Sequence, residues 1–271
     1  MRDARPTVVI DAFPDSPFRR RGSDAIACID VMLATTTLVS AAADGRRAFL
    51  AAGREDMGAL LRRFPEAILA GELEGSAKGE FAVPDGPCAL KNLAADERPL
   101  LLVSAPGTAL IVNAAEGGGT VLLACFRNLS ATAAALVSYR RVALLAAGCR
   151  EEFSCEDQMA AAWIAERLLD LGFAAEDRIT ADMVRRWTGI APALAGWGNS
   201  AAELRRRGRN EEVDFVIAHV DDVDRACLCE GREALFARGP VGTAASGGGR
   251  PLSGRCRWDG GAPAPSRISY F

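Results

Sequence analysis

The chain has 271 residues, 49% of them hydrophobic and 25% charged, with a formal net charge of -3. That is enough apolar material for one large or two small buried cores, and no basic surplus points to nucleic acid. Thirty arginines stand against two lysines, Lys78 and Lys91. The first six residues lack the apolar core of a secretion signal, and residues 31–43 are too short an apolar run to span a bilayer. A cytoplasmic protein without a membrane partner is expected. Eight cysteines occur with no Cys-x-x-Cys pair, which favours reduced thiols over a zinc site.

In chain order, short apolar runs alternate with helical patterns. Strands are predicted over 8–10, 25–31, 47–51, 67–70, 100–104, 121–125, 142–146 and 214–220. Helices are predicted over 35–44, 55–64, 108–116, 129–139, 155–171, 181–187 and 201–207. The βαβ rhythm implies a layered α/β/α fold with a largely parallel or mixed sheet, most of its strands buried on both faces. The helix over 155–171 is the clearest: Trp163, Ile164, Leu168 and Leu171 share one face, and Ser154 with Asp157 reads as a capping box. Residues 1–238 are expected to form one domain. From Gly239 to Phe271, twelve residues are Gly or Pro and no apolar period survives, so a disordered tail is expected.

Three apolar runs deliver carboxylates at or just past a strand end: Asp30, Glu72, and Glu156 with Asp157. In open α/β sheets the carboxyl ends of strands line the ligand crevice, and gathered acids suit Mg²⁺, a hard cation that favours oxygen. Asp30 precedes Thr35 and Thr36, which offer hydroxyls at a helix start; helix capping explains the same residues. Glu72 opens a loop running to Asn92, flanked by Lys78 and Lys91, either of which offers a point charge to phosphate. Ser104-Ala105-Pro106-Gly107-Thr108 and Arg127-Asn128 occupy strand-to-helix turns able to meet an anion, with Asn128 equally suited to capping. Capping and the helix dipole also account for Glu156 and Asp157. His219, the only histidine, falls in the apolar run 215–220, so a His-dependent mechanism is set aside.

Taken in order, these segments resemble the 2-phosphosulfolactate phosphatase (ComB) family over roughly residues 25–236. Asp30–Thr37 resembles its Asp-Val-Leu-Arg-Ala-(Ser/Thr)-Thr-Thr stretch, and Gly71–Gly75 with Asp85-Gly86-Pro87 its glycine-rich loop. Gly107-Thr108, Asn128–Ala131, Ala147-Gly148, Phe153 and Glu156-Asp157 are similar to its later motifs, and Ser200–Gly208 resembles its later helix. The resemblance implies Mg²⁺-dependent hydrolysis of a small anionic phosphate ester, 2-phosphosulfolactate to sulfolactate and phosphate. It assigns catalysis and the metal to Asp30, Glu72 and Asp157, with Glu156 as a further ligand. The anion falls to Thr35, Thr36, Lys78, Gly107, Thr108, Arg127 and Asn128. Two family arginines are Leu33 and Leu73 here, and Asn-Ser-Pro has become Asp85-Gly86-Pro87. Arginine is the best fork for phosphate or sulfonate, so a non-catalytic relative that binds a small anionic metabolite or a partner protein is the alternative. A nucleotide-binding protein is a weaker third reading, for there is no Walker A loop. Assembly as a homo-oligomer is left open.

Overall fold

The computed structural model describes residues 5–13, 15–77, 79–91, 93, 97–148 and 152–237. Among them ten strands form one sheet: β1 (Thr7–Asp11), β2 (Ala25–Ile29), β3 (Ala48–Leu50), β4 (Ile68–Gly71), β5 (Leu100–Val103), β6 (Thr120–Ala124), β7 (Arg141–Ala146), β8 (Ala174–Ala175), β9 (Cys227–Glu230) and β10 (Glu233–Phe236). Their spatial order is β4-β5-β3-β10-β9-β6-β2-β7-β1-β8. The layered α/β expectation holds, and the sheet is mixed.

Two parallel units make up this sheet. One comprises β6, β2, β7, β1 and β8, the other β3, β5 and β4. The β9–β10 hairpin joins them through three successive antiparallel pairings, β6 to β9, β9 to β10 and β10 to β3. Three reversals leave the two units with opposite senses. In a flat sheet their carboxyl ends would lie at opposite edges. Strand twist of about 20–25° per step, accumulated over the five steps from β5 to β2, turns the two sets of ends back toward one another. The ligand crevice therefore forms between units, not along one sheet edge as the sequence suggests.

Alternation along the central strands explains their burial. Ala25, Ala27 and Ile29 of β2 enter one core, while Ile26 and Cys28 enter the other. The first core is covered by the helices Leu129–Leu136 and Cys155–Asp170, which supply Leu129, Met159, Trp163 and Ile164. The second is covered by Ala34–Ala43 and Gly107–Glu116, through Leu38, Val39, Leu110 and Ile111. A third, smaller cluster lies over the β3–β5–β4 unit, with Phe49, Leu69 and Leu101 packed on Met57 and Leu60. No helix among the described residues is long and apolar enough to cross a membrane.

Several sequence expectations change. The 214–220 segment is no strand; it lies largely within the helix Asn210–Ala218, which buries Val213 and Val216 three residues apart, and His219 caps its end. The hairpin β9–β10 was not anticipated, because its strands are half-exposed and carry mixed residues. The loop after Glu72 contains the short helix Pro87–Lys91. Leu171 lies past the end of its helix and is exposed rather than facing the core. The expected tail, residues 239–271, lies outside the described residues.

Candidate active site

A small crevice of about 110 Å³ opens where the two units meet. The β2 and β7 ends contribute Asp30, Met32, Leu33 and Gly148. The β4 and β5 ends contribute Glu72, Asp85, Ser104, Ala105 and Pro106. The remaining wall is the segment Ser200–Arg209, through Ser200, Glu203, Leu204, Arg207 and Arg209.

Asp30 sits at the end of β2 and is 5% exposed. Its turn is self-contained. Thr35 donates its hydroxyl to the Asp30 carbonyl (2.7 Å) and accepts from the Asp30 amide (3.0 Å), while the Ala34 amide reaches Oδ1 (3.3 Å). Gly107 packs directly on the carboxylate: a Cβ there would lie 2.0 Å from Oδ2, so no other residue fits. Burial and the negative charge of Asp85 push the Asp30 carboxyl up to about 7, with Glu156 acting the same way. The amides of Ala34 and Gly107 oppose that rise only in part.

Asp157 lies behind this floor. The expected capping box does not form, since Ser154 makes no side-chain cap. Instead the Asp157 carboxylate accepts from the amides of Val31 (2.7 Å) and Gly148 (3.1 Å), clamping the turns after β2 and β7 together. Burial and the charges of Asp30 and Glu156 raise its carboxyl well above the usual range. Glu156 is buried beside it, and its Oε2 accepts a contact from the Cys155 thiol at 3.3 Å.

Glu72 occupies the opposite rim with 67% of its side chain exposed, and pairs with Arg207 at 2.7 Å. Gly71 places it there: with φ at 111° and Val103 O only 1.8 Å from a Cβ position, the strand end passes hard against β5. Asp85 accepts from Ser104 Oγ (2.6 Å) and Arg209 Nη1 (2.8 Å). Arg209 also reaches the Asp85 carbonyl and lies 3.6 Å from Glu212. Buried Glu212 in turn accepts from the amides of Cys88 and Ala89, both at 3.0 Å, and so anchors the loop that carries Asp85.

Of the acids expected from sequence, Asp30 and Glu72 line the crevice, while Asp157 and Glu156 lie buried behind it. The expected anion-binding residues are differently placed. Thr35 and Thr36 are buried, and their hydroxyls serve the carbonyls of Asp30 and Val31. Thr108 exchanges hydrogen bonds with the Ser104 backbone, and Asn128 bridges Cys125 N to Leu123 O. Arg127 is away from the crevice, paired with Asp222 and with Ser40. Lys91 stacks on Phe215 at 4.5 Å, and Lys78 lies outside the described residues. Gly107 alone of that set packs on the Asp30 carboxylate, Thr35 meeting only its backbone. Sequence reasoning gave no site role to Asp85, Arg207 or Arg209, and reached Ser104 only as part of an anion-binding turn. The run Arg205-Arg206-Arg207-Gly208-Arg209 looks like a solvated helix end, and nothing local marks two of its members as crevice residues.

The donors offered are carboxylate oxygens, which suit Mg²⁺. No group of three or more His, Cys, Asp or Glu among the described residues forms a ready metal cage. Mg²⁺ needs none, since it retains waters and takes one or two carboxylates together with substrate phosphate. Charge supports the fit. Four acids, Asp30, Glu72, Asp85 and Glu203, face two arginines in the crevice lining.

The fold is thus a mixed α/β sheet with an acid-and-arginine crevice between converging strand ends. A sequence model of the 2-phosphosulpholactate phosphatase family matches residues 14–224. A Deinococcus radiodurans protein named probable 2-phosphosulfolactate phosphatase is 31% identical over 213 residues, covering 76% of this chain and 87% of that protein. A protein of the same name from Parasynechococcus marenigrum is 31% identical over 210 residues, 74% and 86% of the two chains. A Synechococcus counterpart is 29% identical over 203 residues, 71% and 83%. The chain belongs to the 2-phosphosulfolactate phosphatase family, a family of phosphatases.

Proposed function

We propose that this protein is a Mg²⁺-dependent phosphatase that hydrolyses a small phosphorylated acid such as 2-phosphosulfolactate, giving sulfolactate and phosphate. Besides family membership, the surplus of acids over arginines in the crevice carries the reading. A phosphate dianion is repelled by such a lining until a divalent cation offsets it. When bound, Mg²⁺ supplies Lewis-acid polarisation of phosphate and activation of water.

The residues themselves divide the remaining work. Asp30, Asp85 and Glu72 offer oxygens for the cation. Arg207 and Arg209 are positioned to fork phosphate oxygens, exchanging partly from Glu72 and Asp85 as they do so. The start of the Gly107–Glu116 helix adds partial positive charge beside Asp30. A carboxyl near 7 can hold or release a proton at neutral pH, which fits Asp30 for proton transfer whenever no cation claims it. Glu212 and Asp157 act as positioning residues, fixing the turns that carry these groups.

One observation favours the non-catalytic alternative: Leu33, at the position where the sequence resemblance expects an arginine, lines the crevice. Phosphate release from 2-phosphosulfolactate, measured with Mg²⁺ and with EDTA, decides between them. Release that EDTA abolishes supports the phosphatase, whereas tight binding of the ester with no release under any divalent cation supports the binder.

A further inference from the structure

Glu203 lines the crevice from the helix Asn199–Arg206, one turn before Arg207, with 19% of its side chain exposed. Its carboxylate holds two arginines: Oε1 accepts from Arg207 Nε at 2.8 Å, and Oε2 pairs with Arg206. Arg207 Nη1 reaches across to Glu72 at 2.7 Å. The third guanidinium nitrogen, Nη2, has no acceptor among the described residues. Arg209, by contrast, commits both terminal nitrogens to Asp85, so Arg207 has a nitrogen to offer before any exchange.

The two acids on Arg207 are themselves held differently. Glu203 shares a helical face with Arg207, and its helix packs through Ala201 and Leu204 on the core that contains β2 and β7. Glu72 stands past the end of β4, in the other unit, with 67% of its side chain exposed. An exposed pair of that kind is weak and readily exchanged.

We infer that Glu203 is a positioning residue for the anion: it tethers Arg207 at the crevice and leaves Nη2 for the ligand, while Glu72 is the partner that the anion displaces. The inference rests on the crevice being a phosphate site, and deepens that reading by dividing the two acids on Arg207 into a tether and an exchangeable contact. Charge alone predicts something else. Both carboxylates lie within 2.8 Å of the same guanidinium, so on charge alone removing either should raise anion affinity alike. A tether reverses the sign for Glu203, because a long side chain set loose must be ordered again when the anion binds.

Methylphosphonate binding to the full chain, followed by phosphorus NMR with Mg²⁺ and with EDTA, tests this. With Mg²⁺, Glu203→Ala should weaken binding about fivefold or more, and Glu203→Gln, which keeps an acceptor for Nε, should restore it to within about twofold of wild type. With EDTA, Glu72→Ala should bind more tightly than wild type, and Glu203→Ala should not. Should Glu203→Ala lose its helical circular dichroism, Glu203→Asp takes its place. That variant keeps the charge but draws the carboxylate back from Nε, and should weaken binding likewise. A gain in Glu203→Ala equal to that in Glu72→Ala, or a loss with Mg²⁺ that Glu203→Gln shares in full, overturns the inference and leaves the phosphate site standing. Failure of the wild type to bind methylphosphonate with Mg²⁺ overturns the phosphate-site reading and the inference with it.

Discussion

Asp11 and Asp30 close neighbouring parts of the same parallel unit, one within the end of β1 and the other just past β2, and they are 4% and 5% exposed. Their surroundings differ completely. Asp11 accepts from Ser16, Arg19 and Arg20, and although burial alone would raise its carboxyl, those bonds hold it below the usual range. Asp30 is raised to about 7 by burial first and then by the charges of Asp85 and Glu156, which two backbone amides oppose only in part. Similar surface exposure thus goes with an ion pair in one place and, in the other, a more deeply enclosed acid that no cation pairs with among the described residues. Depth of enclosure and charged neighbours together set such an acid apart as a candidate for function.

The largest effect expected from this contrast is on turnover. Asp30→Asn keeps the shape and removes the charge, and should lower kcat for phosphate release by about 10²-fold or more, while Asp11→Asn leaves kcat within a few-fold. A comparable loss in both variants would erase the distinction.

Stability should move in opposite directions. Asp11→Asn breaks charge-assisted hydrogen bonds and should cost about 1.5–3 kcal/mol at pH 7 by urea denaturation. Its low folded-state pKa makes that contribution present at neutral pH and lost on acidification toward and below 3.8. Asp30 has the reverse sign. Its raised pKa means the protonated form is favoured in the fold, so stability is lost as pH climbs from 3.8 through about 7. Metal-free Asp30→Asn should therefore gain on the order of 2–4 kcal/mol over wild type at pH 8 and little at pH 4.

Smaller changes sharpen the picture of the opposite wall. Arg209→Lys retains charge but loses the fork shared between Asp85 and Glu212, and KM should rise about tenfold with the fold intact by circular dichroism. Glu72→Gln removes only an exposed ion pair with Arg207, so unfolding free energy should change by less than about 1 kcal/mol. A large loss of stability there would show the rim to be structural.

Much of the architecture is legible in the chain because β2, β5, β6 and β7 are continuous apolar runs bracketed by helical periods. Asp30 and Gly107 were also legible, since strand-to-helix turns announce themselves locally. What failed was nonlocal. The run Phe215-Val216-Ile217 has strand-like composition, yet Val213 and Val216 share a helical face that only its packing partners reveal. The β9–β10 hairpin reverses one unit relative to the other, so Asp85 and Arg209, distant in sequence, meet across the crevice. Asp157 reads as a cap because its true partners, the amides of Val31 and Gly148, belong to other turns.

Mg²⁺ titration by calorimetry at pH 6 and pH 8, on wild type and Asp30→Asn, decides whether Asp30 holds the cation. Binding should be tighter at pH 8, release a proton to the buffer at pH 6, and vanish in Asp30→Asn. Binding of equal strength in the variant, or none in the wild type at either pH, would contradict that role.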